Sequence, residues 1–326
     1  MLRLFAATLV LYSHQHALLG IAEPQFFGWN TFGGVGVSIF FFLSGFLVWS
    51  SWVRDPNVWR FFVRRSLRIF PGLWVTVLVS VFIVAPILTS LSLEQYFFAS
   101  QTWRYLSTCA LVVRQGLPGV FESNAYPHAF NGSLWTLPVE FFCYVTVAVV
   151  GGLSLVCKGW QLVAGLILAM VAAAYGPGIV GERFVPHFEM LALFWWGVWY
   201  GHWKERASKS WRLLLGTAAL LVCLMLGPRG IEQAAVLLFA AILVIVGQRV
   251  ALGSRITDHL GDLSYGMYIF AFPVQQMLVE LGRGHDWAFG YYLAMSFLVT
   301  AGFAYASWHL VEKRALLFKP KMPAPV

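Results

Sequence analysis

Charge is scarce in this chain. Of 326 residues only 11% are Asp, Glu, Lys or Arg, against about a quarter in soluble globular domains. Mean hydropathy is +0.72, and a soluble globular domain is excluded. Cysteine is scarce too. Cys109, Cys143, Cys157 and Cys223 are scattered, with no Cys-x-x-Cys and no His at ligand spacing, so neither a disulfide framework nor a metal site is expected. All but Cys157 fall in or beside apolar runs, where a free Cys acts as a small hydrophobe. Alternating strands of about ten residues, the mark of a membrane β-barrel, are missing. The first apolar stretch lacks a small-residue cleavage pattern and reads as a span, not a signal peptide. No internal repeat or low-complexity tract appears.

What is present is apolar and aromatic: 59% of residues are hydrophobic, and Phe, Trp and Tyr make up 17%, as suits a protein anchored at two lipid–water interfaces. Runs of spanning length fall at 2–20, 34–52, 70–90, 133–151, 160–177, 187–203, 212–228, 231–249, 263–282 and 288–311, since about twenty residues cross the hydrocarbon core. The expected fold is all-α, a polytopic membrane protein of about ten helices with both termini cytoplasmic. With the N-terminus inside, all but five of the 22 Lys and Arg fall on the cytoplasmic side, the exceptions being Arg104, Arg114, Arg183, Arg229 and Arg283. The positive-inside rule fixes that orientation. Basic character here is topological, and no nucleic-acid partner is expected. One membrane domain is expected over 1–315, with a short Pro-rich cytoplasmic tail at 316–326. The join at 91–132 is the longest, and its aromatic part at 96–105 suits an interfacial helix.

Ionisable residues in the apolar runs are the candidates for chemistry, because such groups are costly unless they face a protein-lined or watery cavity. Arg3 and His14 are eleven residues apart, so a helix brings both within about 20° of one face. His14 then lies roughly 16 Å beyond Arg3, near mid-bilayer. Spacing alone favours the plainer account, with Arg3 a flanking charge and His14 a core histidine. His16 is turned away and reads as an interface residue. Arg65 and Arg68 share a face and suit a polyanion, although basic clusters also bind anionic lipid heads. Glu140 follows Trp135 and Pro138 near the expected outer face, and a structural hydrogen bond explains it as well as a catalytic role does. The second span is rich in small residues, which suits close helix packing. Its Ser44 is a poor nucleophile, because no base lies nearby in sequence. Asn131-Gly132-Ser133 is formally a glycosylation sequon, a weak signal.

Taken together and in order, these segments resemble the acyltransferase-3 family of integral membrane acyltransferases, whose bacterial members O-acetylate surface polysaccharides. The matching pieces are Arg3-x10-His14, the run from Gly36 to Phe46, Arg65-x-x-Arg68-Ile69-x-Pro71, Ser133-Leu134-Trp135-Thr136-Leu137-x-x-Glu140, Leu263-Ser264-Tyr265-Gly266-Met267-Tyr268, and Ser307-Trp308 with Val311-Glu312-Lys313. The resemblance implies that His14 is catalytic, with Arg3 its partner and Glu140 the carboxylate of the Trp-rich piece. It implies that Arg65 and Arg68, with Arg64 or Arg60, handle acyl-CoA, and that Trp135 and Tyr265 contact substrate. Two departures stand out. Many relatives place a His before the Pro that follows the Tyr-rich piece, where this chain has Phe272-Pro273, and the terminal Glu-Lys is followed by Arg314 instead of Pro.

The function so implied is transfer of an acyl group, most simply acetyl, from cytoplasmic acetyl-CoA to a hydroxyl of an extracytoplasmic glycan or lipid-linked saccharide. The lipid bilayer is the setting, the bacterial inner membrane the expected location, and no metal is required. Arg residues at an inner mouth would hold the donor's phosphates while its pantetheine arm threads toward His14. Neutral imidazole suits removal of a proton from the attacking hydroxyl, and a covalent acyl-His14 intermediate is equally allowed. The rival class is an exporter of a lipid-linked sugar with His14 in a proton relay, against which no inverted repeat is present.

Overall fold

The computed structural model describes residues 1–26, 30–157, 160–204 and 261–320. Among them there are helices and loops but no strand, and Phe26 and Asn30 make one isolated bridge. The elements are α1 (Leu2–Leu19), α2 (Phe32–Arg54), α3 (Val58–Val79), α4 (Ala85–Leu88), α5 (Leu93–Phe98), α6 (Ser100–Tyr105), α7 (Thr136–Cys157), α8 (Trp160–Val180), α9 (Val185–Lys204), α10 (Ser264–Leu281), α11 (Phe289–Ser307) and α12 (Lys313–Ala315). A π turn at Ser80–Val84 joins α3 to α4, and another at Trp308–Glu312 joins α11 to α12.

Eight of the ten expected runs coincide with long helices; those at 212–228 and 231–249 lie outside the described residues. Among the described residues four stretches are long and apolar enough to cross a membrane: Phe32–Arg54, Val58–Leu88, Thr136–Leu153 and Phe289–Phe318. The protein is a helical membrane protein. The third run begins well before the expected residue 70, because Asn57 caps the helix by accepting from the Arg60 N–H at 2.9 Å, and the basic residues that seemed to form a join belong to the first turns of α3. The expected interfacial helix is two short ones, α5 and α6, the first held by a reciprocal Ser92–Gln95 capping box.

Close approach explains the small residues of α2. A Cβ on Gly45 would strike the backbone of Phe194 in α9, one on Gly197 the carbonyl of Phe42, and one on Gly36 the carbonyl of Ala6 in α1. Glycine is needed at all three positions because helix backbones meet there.

One end of the bundle carries Asp55, and the other carries Tyr126. α1 runs antiparallel to α2 and is offset toward the Tyr126 end. Arg3 lies over the Phe40 ring near the middle of α2, with Cζ 5.7 Å from its centroid, while the Tyr12 ring is 5.2 Å from Phe32 at the first turn of α2. His14 is therefore level with the N-terminal end of α2.

The chain between α6 and α7 is mostly irregular and runs down the side of α10. Asn124 bonds Gln276, Asn131 Nδ2 donates to the Ile269 carbonyl at 2.8 Å, and Ser133 Oγ reaches the Tyr268 carbonyl. Irregular backbone is tolerated at such depth because it is buried in protein. Its course also explains why Asn131, fully buried, is a structural ligand and not a glycosylation acceptor: Pro273 has no N–H, so the Ile269 carbonyl four residues earlier loses its helical donor, and Asn131 replaces it.

Candidate active site

Ser38 and Ser50 in α2 bond back to the carbonyls four residues earlier, at 2.7 and 2.9 Å, the ordinary behaviour of a helical serine. Ser44 instead donates to Glu140 Oε1 of α7 at 2.9 Å, and Tyr144, one turn further along α7, donates to the same oxygen at 2.6 Å. Oε2 accepts no hydrogen bond among the described residues. Glu140 thus presents one saturated and one free oxygen to a cleft, which Arg3, Ser44, Thr136, Tyr265 and Tyr268 line together with apolar residues of α2. The opposite wall is tied down: Thr136 and Tyr268 share a 2.7 Å hydroxyl contact, and the Tyr268 hydroxyl donates to the Ser133 carbonyl at 2.9 Å.

Two guanidinium groups reach this region without a carboxylate of their own. Arg3 Nε and Arg65 Nε are buried and have no hydrogen-bond partner. Arg65 lies between the Phe61 and Tyr144 rings, 6.0 and 5.9 Å from their centroids, and within electrostatic reach of Glu140 and Arg3. Arg68 is different. It donates to Asp262 at 2.6 Å and lies over the Tyr265 and Trp308 rings at 5.8 and 6.0 Å, so pieces of chain from α3, α10 and the turn after α11 close on one cation. Burial would raise the Asp262 carboxyl, but Arg68, Arg3 and the Ser264 hydroxyl and N–H outweigh it and hold it at about 2.

His14 stands at the far end of the same line of residues. Its ring is edge-on to Phe272 at 5.1 Å, one helical turn along α10 from Tyr268, and its Nδ1 is buried without a partner. Gln275, fully buried, fixes α1 here by donating to the Leu11 carbonyl at 2.8 Å and to Gln15 Oε1 at 3.0 Å, and Ser296 of α11 donates to the same Gln15 oxygen.

Residues 1–308 match a family described as an acyltransferase domain. The chain belongs to the acyltransferase-3 family. It is 29% identical to an O-acetyl transferase of Shigella phage Sf6, over 96% of this chain and 94% of the relative. Identity is also 29% to Nodulation protein 10 of Rhizobium leguminosarum bv. viciae, covering 99% and 94%, and 28% to acyltransferase MdmB of Streptomyces mycarofaciens, covering 88% and 82%. No solved structure gives a significant match.

For this acyltransferase the structure sorts the expected site residues. Arg3, Glu140 and Tyr265 line one cleft, with Arg65 and Arg68 beside it. Glu140, expected near the outer face, lies level with Ser44 of α2, about one helical turn nearer the Asp55 end of the bundle than Arg3, because the irregular chain before α7 carries the start of that helix deep into the bundle. Ser44, set aside for want of a base nearby in sequence, has its carboxylate from α7. Arg64, expected with the donor-binding set, is 3% exposed and bonded to Asp55 at 2.6 Å through one terminal nitrogen, while its Nε is buried without a partner. Arg60 binds the same carboxylate through two bonds at 2.9 and 2.6 Å. Trp135, expected to contact substrate, is not among the residues that line the cleft. Its ring faces His187 at 5.1 Å, while its neighbours Thr136 and Leu137 line the cleft. His16, expected at an interface, is buried between Tyr12 and Phe289. Two missed residues had a sequence signal: Tyr144 lies at i+4 from Glu140, and Pro273 announces an orphan carbonyl that Asn131 must serve. Asp262 and Gln275 had none.

Proposed function

We propose that this acyltransferase transfers an acetyl group from cytoplasmic acetyl-CoA to a hydroxyl of an extracytoplasmic glycan, in the bacterial inner membrane, with about ten spans and both termini inside. The observation that carries the reading is the alignment along α1 of a cation, Arg3, and an imidazole, His14, each with a buried nitrogen that has no hydrogen-bond partner. Arg3, near Arg65, and His14 are separated by eleven residues of α1, a rise of about 16 Å. A pantetheine arm has roughly the reach of five extended residues, about 17 Å. Phosphates held at Arg3 and Arg65 would therefore bring the thioester to His14. The buried, partnerless Nε atoms of both arginines suit an anionic donor, and the relative named as an O-acetyl transferase supports an acetyl group moving to a hydroxyl.

In the step itself, the glycan oxygen attacks the thioester carbonyl while His14 takes its proton; the C–O bond forms, the C–S bond breaks, and the proton passes to the departing sulfur. A covalent acetyl-His14 intermediate is the alternative order of the same bond changes. Phe272 and Gln275 orient the imidazole, and Glu140 with its free oxygen meets the polar part of the arm.

The test is transfer of label from radioactive acetyl-CoA in proteoliposomes, wild type against His14→Ala, with a bacterial O-polysaccharide fraction as acceptor. Label reaching polysaccharide only with His14 present is the expected result. Undiminished transfer by His14→Ala removes His14 from the mechanism, and no transfer by folded wild type overturns this donor and acceptor pair.

A further inference from the structure

We propose that the exposed segment at residues 122–128, with Tyr126 at its centre, is the acceptor subsite, where the Tyr126 ring stacks on the face of a sugar; this rests on the glycan-acceptor reading above. Tyr126 is 45% exposed, and its ring lies edge-on to Phe272 at 6.0 Å, while Phe272 lies edge-on to His14 at 5.1 Å. A line of rings thus leads from solvent to the imidazole. The segment is also at the correct end of the bundle, since Ala125 packs against Gly20 at the C-terminus of α1.

Surface loops with an exposed ring are ordinarily mobile. This one is clamped. Gln276, fully buried, donates to the Tyr126 carbonyl at 2.8 Å and the Ala129 carbonyl at 2.9 Å, and its Oε1 accepts from Asn124 Nδ2 at 2.8 Å. Arg283 donates to Asn124 Oδ1 at 2.9 Å. Phe121 stacks on Phe130 at 5.5 Å beneath the segment. Phe121 and His128 both take left-handed backbone, φ 58° and 59°, a conformation that residues with a Cβ avoid unless their surroundings impose it. Such a framework holds the ring in place before any ligand arrives, so little freedom is lost on binding.

The chemistry suits a pyranose. One face of the sugar offers C–H bonds to the Tyr126 π face, and Glu122, Ser123 and His128, exposed in the same short segment, offer polar groups for its rim hydroxyls. Glu122 Oε1 accepts from the Gly119 N–H at 3.2 Å, which orients the carboxylate.

Two measurements on the full chain test the proposal, both with the O-polysaccharide fraction. Tyr126→Ala is expected to raise the acceptor KM about tenfold, and Tyr126→Phe to hold it within about twofold of wild type, since stacking needs the ring and not the hydroxyl. An unchanged acceptor KM in Tyr126→Ala overturns the subsite. Saturation-transfer NMR without any donor reads the contact directly. Sugar ring-proton signals seen with wild type and Tyr126→Phe but lost in Tyr126→Ala sustain it; equal signals in all three, or none with wild type, overturn it. Failure of the acetyl-CoA reading would show as absent transfer in every protein and would leave the NMR result to decide.

Discussion

Ser44 and Glu140, 96 positions apart in sequence, share a 2.9 Å hydrogen bond that no other serine of α2 with a described bond imitates. By turning away from its own helix, Ser44 fixes one carboxylate oxygen and leaves the other to the cleft. The bond ties α2 to α7 at the level where Arg65 approaches from α3, so three helices converge on a single carboxylate.

Glu140→Gln is expected to lower transfer by at least about 100-fold, because the amide can no longer offer a charged oxygen to the cleft or balance Arg65. Ser44→Ala removes one donor to a charged acceptor and is expected to cost about tenfold. Rates measured side by side at saturating acceptor check the order. Equal losses would mean that the Ser44 hydroxyl takes part in the reaction itself.

The two arginines singled out together should part company on mutation. Arg65→Ala is expected to raise the donor KM about tenfold or more with little change in Tm, as it makes no hydrogen bond to a carboxylate. Arg68→Ala strands Asp262 and uncovers Tyr265 and Trp308, and is expected to lower Tm by several degrees. Donor titrations and thermal unfolding in detergent check both; a matched pair of phenotypes would contradict this division.

Asn131→Ala leaves the Ile269 carbonyl without a donor, at a cost of about 1–3 kcal/mol. Replacing Pro273 by Ala restores the helical N–H that Asn131 stands in for. The double variant Asn131→Ala with Pro273→Ala should therefore be more stable than Asn131→Ala alone, and a double-mutant cycle of unfolding measurements shows the coupling. Strict additivity would mean that the two residues do not serve the same carbonyl.

Acid stability follows from Asp55. Hydrogen bonds from Arg60, then Arg64, hold its carboxyl at about 2 against an ordinary 3.8, although burial works the other way. Because the folded value lies below the unfolded one, the stabilisation is fully present above about pH 4 and is lost as pH falls through 2. Asp55→Asn also leaves the buried Arg64 uncompensated, a cost of about 3 kcal/mol. The difference in Tm between wild type and Asp55→Asn should stay constant from pH 8 to 5 and shrink below pH 4.

Much of the architecture was legible because helix length and apolarity are local properties. Eight runs of about twenty residues became helices, and the order of short pieces from Arg3 to Lys313 gave the family. The start of α3 was missed for a physical reason: hydropathy marks where lipid contact begins, whereas the Asn57 cap marks where the helix begins. The site was legible in part. Arg3, His14 and Glu140 stood out as ionisable residues in apolar runs, but the depth of each depended on offsets between helices, which periodicity does not encode.

The sequence by itself determined an apolar helical chain, the small residues at which α2 meets its neighbours, and the ionisable groups needing company in such surroundings. Tertiary structure alone decided which company they found. Asp55 paired with Arg64, Asp262 and two rings enclosed Arg68, and Arg65 and Arg3 were left without a hydrogen-bonded carboxylate. Glu140 met Ser44 because an irregular stretch follows α10 into the bundle before α7 begins. Such pairings form between elements far apart in the chain, where burial makes an unpartnered polar group costly, and no local pattern announces which of several candidates will be the partner.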